Sequence, residues 1–349
     1  MDTALLWATT NGVADQNTTA YESHAATIAF SDASLATTSY KASGNFVEEN
    51  VAVLPFVFCK SQGTSGNMTN ISNVSFEQIH YGIPQGKIQL SSWTGRTNDA
   101  DKPVYLLQRT KDSGTRRTHT GCSYYGFNDF VHVYIYDKVG DFWFDTETNN
   151  PSGVQTSANP GASPNNVVNA GILSENLNWG PGYVGGGDIR TALGYAQSKN
   201  DSIGFISFAD AKSVGGGNWT NVISFNGMWP TAAGAALRGV SVTNDFSPIT
   251  SGYYPLWSDL VMIHPIDMDL TPSPKISTDA LGDSFTPGTF LGVFNAQSGN
   301  NGGVVLPGSI ENEIIASKVS TSPFYPNTAI PLSEMHVQRQ SVGADITPF

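Results

Sequence analysis

Apolar and polar positions alternate along the chain in short blocks rather than in long periodic stretches. "ATIAFSDASL" from Ala26 is a brief apolar run that halts at Ser31-Asp32. "VAVLPFVF", Val51 to Phe58, is almost uninterrupted and predicts a buried central strand. Beyond a Gly/Ser/Asn loop, "VSFEQIHYGI" spaces Phe76, Ile79 and Ile83 along one face of a short helix. "KPVYLLQR" predicts another strand, and "FVHVYIYD" a further extended piece with no evident place in the fold.

The Pro/Asn/Ser-rich stretch from Thr146 to Asn169 predicts a surface excursion. In "GGGDIRTALGYAQSKNDSIGFISFADA", Asp188 is expected to cap a helix through Gln197, with a turn at Lys199 to Asp201 and a strand at "SIGFISF". "NVISFNG" and "YYPLWSDLVMI" predict two more strands, and the tail from Pro265 is loop-rich with one helix at "SIENEIIASKV". Strands alternating with helices indicate an α/β architecture with mixed, mostly parallel sheets. No internal repeat is visible.

Composition narrows the class. A chain of 349 residues has room for two lobes or one large domain. Charged residues are only 13% while Gly, Ser, Thr and Asn are abundant, which suits an exported protein. The net charge of −12, with no basic stripe, argues against a nucleic-acid partner. No apolar run approaches the roughly 20 residues of a membrane-crossing helix. The opening "MDTALLWATTNGVADQ" lacks the basic start and apolar core of a signal peptide, so the chain is expected to begin downstream of its natural N-terminus. Cys59 and Cys122 fit no metal spacing and admit two readings, one disulfide or two buried thiols. The six histidines (His24, His80, His119, His132, His264, His336) are dispersed, and neither a metal nor a cofactor is expected.

The candidate chemistry lies in "QRTKDSGTRR". A helix entered through Ser113-Gly114-Thr115 presents N–H groups that have no intrahelical acceptor and carry partial positive charge. Gly114 lets an anion approach the backbone closely. Ser113 and Thr115 can each donate a hydroxyl, and Arg109 a guanidinium fork that matches two oxyanion oxygens. The alternative is an ordinary helix cap with Arg109 at the surface. Ser31 can donate to the same kind of ligand, whereas an ionised Asp32 only accepts and so suits a ligand that keeps a proton. A strand-end turn or cap is the alternative there.

Other motifs lead nowhere. "GPGYVG" from Gly180 matches G-x-G-x-x-G in letters, but "ENLNW" before it is no apolar strand, so it reads as a loop. No Lys-Ser/Thr pair completes a nucleotide loop. A hydrolase with Ser113 as nucleophile and His119 as base lacks a nucleophile elbow. No enzymatic activity is expected.

Several of these segments, in order, resemble the periplasmic phosphate-binding proteins of ABC transporters, with their type II solute-binding fold. "FSDASL", "ENVAVLPFVF", "SFEQIHYGIPQGKIQLSSW", "YLLQRTKDSGTRRTH", "GGGDIRTALGYAQSKNDSIGFISFADA", "FNGMWPT" and "SGYYPLWSDLVMI" carry the resemblance from about Ala26 to Ile263. It implies a two-lobe clamp around a dehydrated tetrahedral oxyanion such as phosphate. Ser31 and Asp32 would bind from one lobe (1–59 with 254–349), and Arg109, Ser113, Gly114 and Thr115 from the other (60–253). Two strands would cross the hinge, near Phe58 to Lys60 and near Gly252 to Pro255. It further implies a monomeric extracytoplasmic protein serving an ABC transporter permease. Two departures stand out: no Gly-rich loop precedes Ser31, and Lys111 occupies the place of an acidic residue that pairs with the arginine. The missing loop, with the long polar insertions and the unusual tail, fits an alternative, a secreted or surface protein that reuses the scaffold for attachment or protein recognition.

Overall fold

The computed structural model describes residues 29–37, 44–61, 67–110, 113–127, 129–136, 167–173, 182–183, 185–195, 201–211, 221–237, 245–266, 330, 332–340 and 342–348, with short paired pieces at 3–6, 9–10, 13–14 and 22–25. The elements that position the site are β1 (Ala29–Ser31), β2 (Phe46–Lys60), β3 (Asn73–Val74), α1 (Phe76–Gly82), β4 (Lys87–Gln89), β5 (Pro103–Leu107), α2 (Gly114–Cys122), β6 (Val131–Tyr136), β7 (Val167–Leu173), α3 (Gly186–Tyr195), β8 (Ser202–Ser207), β9 (Val222–Phe225) and β10 (Trp257–Pro265). The ten strands form one mixed sheet in the order β7-β6-β5-β8-β2-β9-β3, with β4 beside β5, and β10 beside both β2 and β1.

The fold is α/β, and the direction of pairing follows the connections. Parallel pairing joins β5 to β6 and to β8, and β9 to β3. Helix α2 carries the chain from β5 back to the start of β6, as a crossover must. Strand β2 instead runs antiparallel to β8, β9 and β10, so the expected parallel pairing is confined to the strands around the helices. "FVHVYIYD" finds its place as β6, between β5 and an antiparallel β7.

Strand β2 is longer than its apolar run predicts. It begins at Phe46 and pairs with β10 as far as Pro55, then passes to β8 and β9 from Phe56 to Lys60. Two groups of strands thus share one backbone. Tyr254 locks the handover, donating its buried hydroxyl to the Phe56 carbonyl at 2.8 Å.

The core is built from side chains of these central strands. Phe56 stacks on Phe205 at 5.4 Å, and Phe58 meets Phe205 at 5.1 Å and Phe225 at 5.8 Å. Each ring is buried, a burial worth about 1.5–3 kcal/mol apiece. Helix α2 lacks an apolar stripe, yet most of its residues are buried. His119 anchors it, stacked on Phe205 at 4.8 Å with Nδ1 3.0 Å from Gln108 Oε1.

Some expectations are corrected. Helix α3 is described over Gly186–Tyr195, so Asp188 lies within its first turn rather than ahead of it, and the expected continuation to Gln197 lies outside the described residues. Of the stretch expected to be a surface excursion, residues 146–166 lie outside the described residues, whereas Val167, Val168 and Asn169 are part of β7 and pair with β6. Cys59 and Cys122 are free buried thiols, which settles the cysteine question against a disulfide. The expected helix at "SIENEIIASKV" and Lys111 lie outside the described residues.

The C-terminal segment packs back on the sheet. Val53 and Ile330 exchange backbone hydrogen bonds of 2.9 Å, and the Arg339 guanidinium lies 3.8 Å over the Trp257 ring. No helix among the described residues is long and apolar enough to cross a membrane.

Candidate functional site

Where β5 ends, the chain turns through Gln108 and Arg109 into α2. Ser113 is the N-cap: its backbone is extended (φ −77, ψ 126) and its Oγ accepts from the Arg116 N–H at 3.4 Å. One orphan donor of the helix is thereby satisfied, and the Ser113 hydroxyl oxygen faces its own helix. Gly114 follows, and a Cβ there would lie 1.7 Å from Asp32 Oδ1 and 2.5 Å from its Cγ. The carboxylate of Asp32 therefore sits in the helix mouth, in space that only glycine leaves open.

The residues link up from there. Thr115 Oγ1 donates to Asp32 Oδ2 at 3.2 Å and accepts from Arg109 Nη1 at 3.1 Å. Arg109 Nε donates to the Tyr183 carbonyl at 3.1 Å, and Thr110 N–H donates to the same oxygen at 3.0 Å. Asp32, Thr115, Arg109 and the Tyr183 carbonyl form one hydrogen-bonded row.

Asp32 is delivered by β1, whose Ser31 pairs with Val261 of β10. Beyond it, Ser31 Oγ accepts from the Ala33 N–H at 3.0 Å. Glu48 on β2 then fastens the loop: one oxygen accepts from Ser34 Oγ at 2.6 Å and the other from the Leu35 N–H. The polar residues that lengthen β2 beyond its apolar run thus hold the strand end that carries Asp32.

Charge at the site is crowded. Burial pushes the Asp32 carboxyl above the usual carboxylate range, with the Arg109 charge and the Thr115 hydrogen bond opposing. Burial lowers the Arg109 guanidinium, and the carboxylates of Asp32, Asp210 and Asp188 counter it. Asp210 accepts from Ser207 Oγ at 2.8 Å and lies against Gly186, where a Cβ would come within 2.1 Å of its Oδ2. Asp188 accepts from the Gly185 N–H at 2.7 Å, and burial raises its carboxyl too.

All six residues singled out in the sequence come together. Asp32, Arg109, Gly114 and Thr115 meet at the mouth, while Ser31 and Ser113 accept backbone N–H groups beside it. Four further residues were missed: Gly182, Tyr183, Asp188 and Asp210. The "GPGYVG" stretch binds no nucleotide motif in sequence terms, yet it braces Arg109. A Cβ on Gly182 would be 2.7 Å from the Arg109 carbonyl, and Tyr183 bridges to Arg109 in parallel. His119 is no base for Ser113, since Gln108 engages its ring, and burial, with the Arg116 charge, lowers its pKa to about 3. No group of three metal-ligating side chains occurs among the described residues.

No family model matches the chain, and no curated protein matches it. Solved structures give distant likenesses. A phosphate ABC transporter substrate-binding protein with bound phosphate, from Clostridium perfringens, aligns with TM-score 0.39 and 14% identity over 68% of this chain and 66% of its own. An ABC-type phosphate transport receptor from Vibrio cholerae gives TM-score 0.36 and 17% identity over 70% and 69%. A human phosphate-binding apolipoprotein gives 0.35 and 12% over 88% and 76%. Scores this low assign neither family nor ligand.

Proposed function

We propose that the α2 mouth is a binding site for phosphate or a similar tetrahedral oxyanion, held without chemical change. One observation carries this reading: the mouth already cradles an anionic group, the Asp32 carboxylate, against Gly114 with Thr115 and Arg109 as its neighbours. The carboxylate oxygens stand in for two oxygens of a ligand. Helix N–H dipoles, a hydroxyl and a guanidinium are the donors that an oxyanion needs in place of water.

An incoming oxyanion meets Asp32 in one of two ways. It displaces the carboxylate, or it brings a proton and donates it to Asp32 in a hydrogen bond. The second route favours hydrogen phosphate over sulfate, because an ionised carboxylate has only acceptors. Ser31, Asp32, Arg109, Ser113, Gly114 and Thr115 are the ligand-binding set in this reading. β2 is its connection between a lobe of residues 1–59 and 254–349 and a lobe of residues 60–253. An extracytoplasmic location, a monomeric state and delivery to an ABC transporter permease belong to the same proposal.

Phosphate protection against thermal unfolding tests it. At a hundredfold excess over the dissociation constant, binding to the folded state adds about 2.7 kcal/mol. A melting temperature unchanged by millimolar phosphate would overturn the reading.

The same carboxylate favours a second reading. If Asp32 fills the mouth permanently, the site is internal mortar and the surface serves attachment or protein recognition. In that case Asp32→Ala destabilises the fold and phosphate protects neither form. Under the first reading, phosphate protects the unaltered chain.

A further inference from the structure

The C-terminal segment carries a guanidinium with one edge bonded and the other not. Strands β11 (Val337–Gln338) and β12 (Thr347–Pro348) pair antiparallel, with Gln338 opposite Thr347. Arg339 follows β11 and is only 8% exposed. Its guanidinium lies over the Trp257 ring, and Nη1 donates to the Pro255 carbonyl at 3.2 Å and to Cys122 Sγ at 3.6 Å. Nε and Nη2 are withdrawn from solvent and meet no acceptor among the described residues. That edge of a guanidinium carries two parallel N–H groups, the pair that grips a planar carboxylate. Leaving it dehydrated and unpaired costs free energy, which an anion offsets. Arg339 also lines a cavity of about 610 Å³, together with Gln338, Gln340, Asp345 and Thr347. The volume is that of a small-molecule site. The amides and the hydroxyl can each donate or accept, whereas an ionised Asp345 only accepts. Two carboxylates share the neighbourhood without satisfying the fork: Asp345, exposed at the rim, and Asp259 on β10. Burial pushes the Asp259 carboxyl up to about 6, with the Arg339 charge opposing and Glu48 adding.

We propose that this cavity binds a small monocarboxylate, with Arg339 Nε and Nη2 as the bidentate donors to its carboxylate and Asp345 as the acceptor for an ammonium or hydroxyl group at its other end. α-Amino acids and α-hydroxy acids share that chemistry. The site is separate from the oxyanion site and does not rest on it: Arg339 touches Cys122, the last residue of α2, whereas the mouth lies at Gly114. Stacked on Trp257 and anchored through Nη1, the guanidinium has little freedom left to lose when a ligand arrives. Charge selects within the class. A dianion meets Asp345 and Asp259 as like charges, a single carboxylate meets them less strongly, and an amino acid brings its own cation to Asp345.

The test follows the Arg339 Nε–H by NMR, assigned through its contacts with the Trp257 ring, while the full chain is titrated with glycine, glycolate and acetate. A downfield shift that saturates is expected with glycine and glycolate, and a weaker response with acetate. In calorimetry, Arg339→Lys keeps the charge but loses the fork, and is expected to weaken glycine about tenfold. If that variant fails to fold, Asp345→Asn at the exposed rim decides. It is expected to weaken glycine about threefold and to strengthen acetate, because it removes a partner from one and a repulsion from the other. An Nε–H resonance unmoved by all three probes at about 50 mM overturns the inference. So does equal binding of glycine by folded Arg339→Lys, or an unchanged glycine-to-acetate ratio in Asp345→Asn. Phosphate moving the same resonance more tightly than glycine would overturn the assignment to a carboxylate. None of these outcomes bears on phosphate at the α2 mouth, which is read from a different arginine.

Discussion

Two helix mouths in this protein begin with the same cap residue and are finished differently. At α1, Ser75 Oγ accepts from the Gln78 N–H at 3.2 Å, and the Gln78 side chain accepts from the Ser75 N–H at 2.8 Å. This reciprocal box is complete within four residues. At α2, Ser113 makes its half of the arrangement, but Arg116 stands where the reciprocating Gln or Glu would be. The first helical residue is glycine, and a carboxylate from 82 positions earlier in the chain covers it. A mouth closed by a reciprocal box takes at most a neutral acceptor from elsewhere, as Asn226 Oδ1 supplies to the Phe76 N–H at 2.7 Å. One left half-capped becomes a place where distant segments, or a ligand, must supply the anion.

The comparison breaks most visibly at Gly114. Gly114→Ala puts a methyl group into the space of Asp32 Oδ1, and we expect a loss of about 2 kcal/mol in denaturant unfolding, together with loss of phosphate protection. Asp32→Ala in the same background should recover more than half of that loss. Additive effects in this double-mutant cycle would mean that the two residues do not meet. Next in size, Ser75→Ala should cost about 1 kcal/mol and leave anion binding untouched, as a purely local cap must.

The smallest effect concerns the sign of two titrations. Burial raises Asp32, whereas Glu77 in the first turn of α1 is lowered by its backbone hydrogen bond and by Ser75. A raised carboxyl binds its proton more tightly folded than unfolded, so Asp32 adds stability as pH falls through its raised value toward the ordinary range near about 4. A lowered carboxyl does the reverse, and Glu77 loses its contribution as pH falls from that range through its lowered value. Chemical-shift titrations of the two side chains should therefore bracket the ordinary carboxylate value from opposite sides. Finding both on one side would remove the distinction between the mouths.

How far the site was legible depends on the kind of signal each residue leaves. Arg109, Ser113, Gly114 and Thr115 are close in sequence, and their donors share one chemistry, so local reading finds them. Asp32 follows an apolar run that ends abruptly, which marks a strand end. Its arrival at Gly114 depends on β1 pairing with β10, and no local pattern encodes that pairing. The resemblance supplied it. Tyr183 contributes a carbonyl, which any residue possesses, so nothing in "GPGYVG" could mark it as the brace of Arg109. Asp188 was noticed only as a cap, and Asp210 not at all, since each becomes significant only when α3 and β8 are folded beside β5. The full extent of β2 was hidden for a similar reason: Glu48 and Glu49 look like a loop until Glu48 is seen holding the chain that follows Asp32.

Strand β2 carries a mechanical consequence. The segment that holds Asp32 through Glu48 is also the spine on which β8, and so the carboxylate of Asp210 just beyond it, is aligned. The two ends of that spine are joined by continuous backbone, across a register shift at Val51 in its pairing with β10. Asp32 and Asp210 thus both take their positions from one strand.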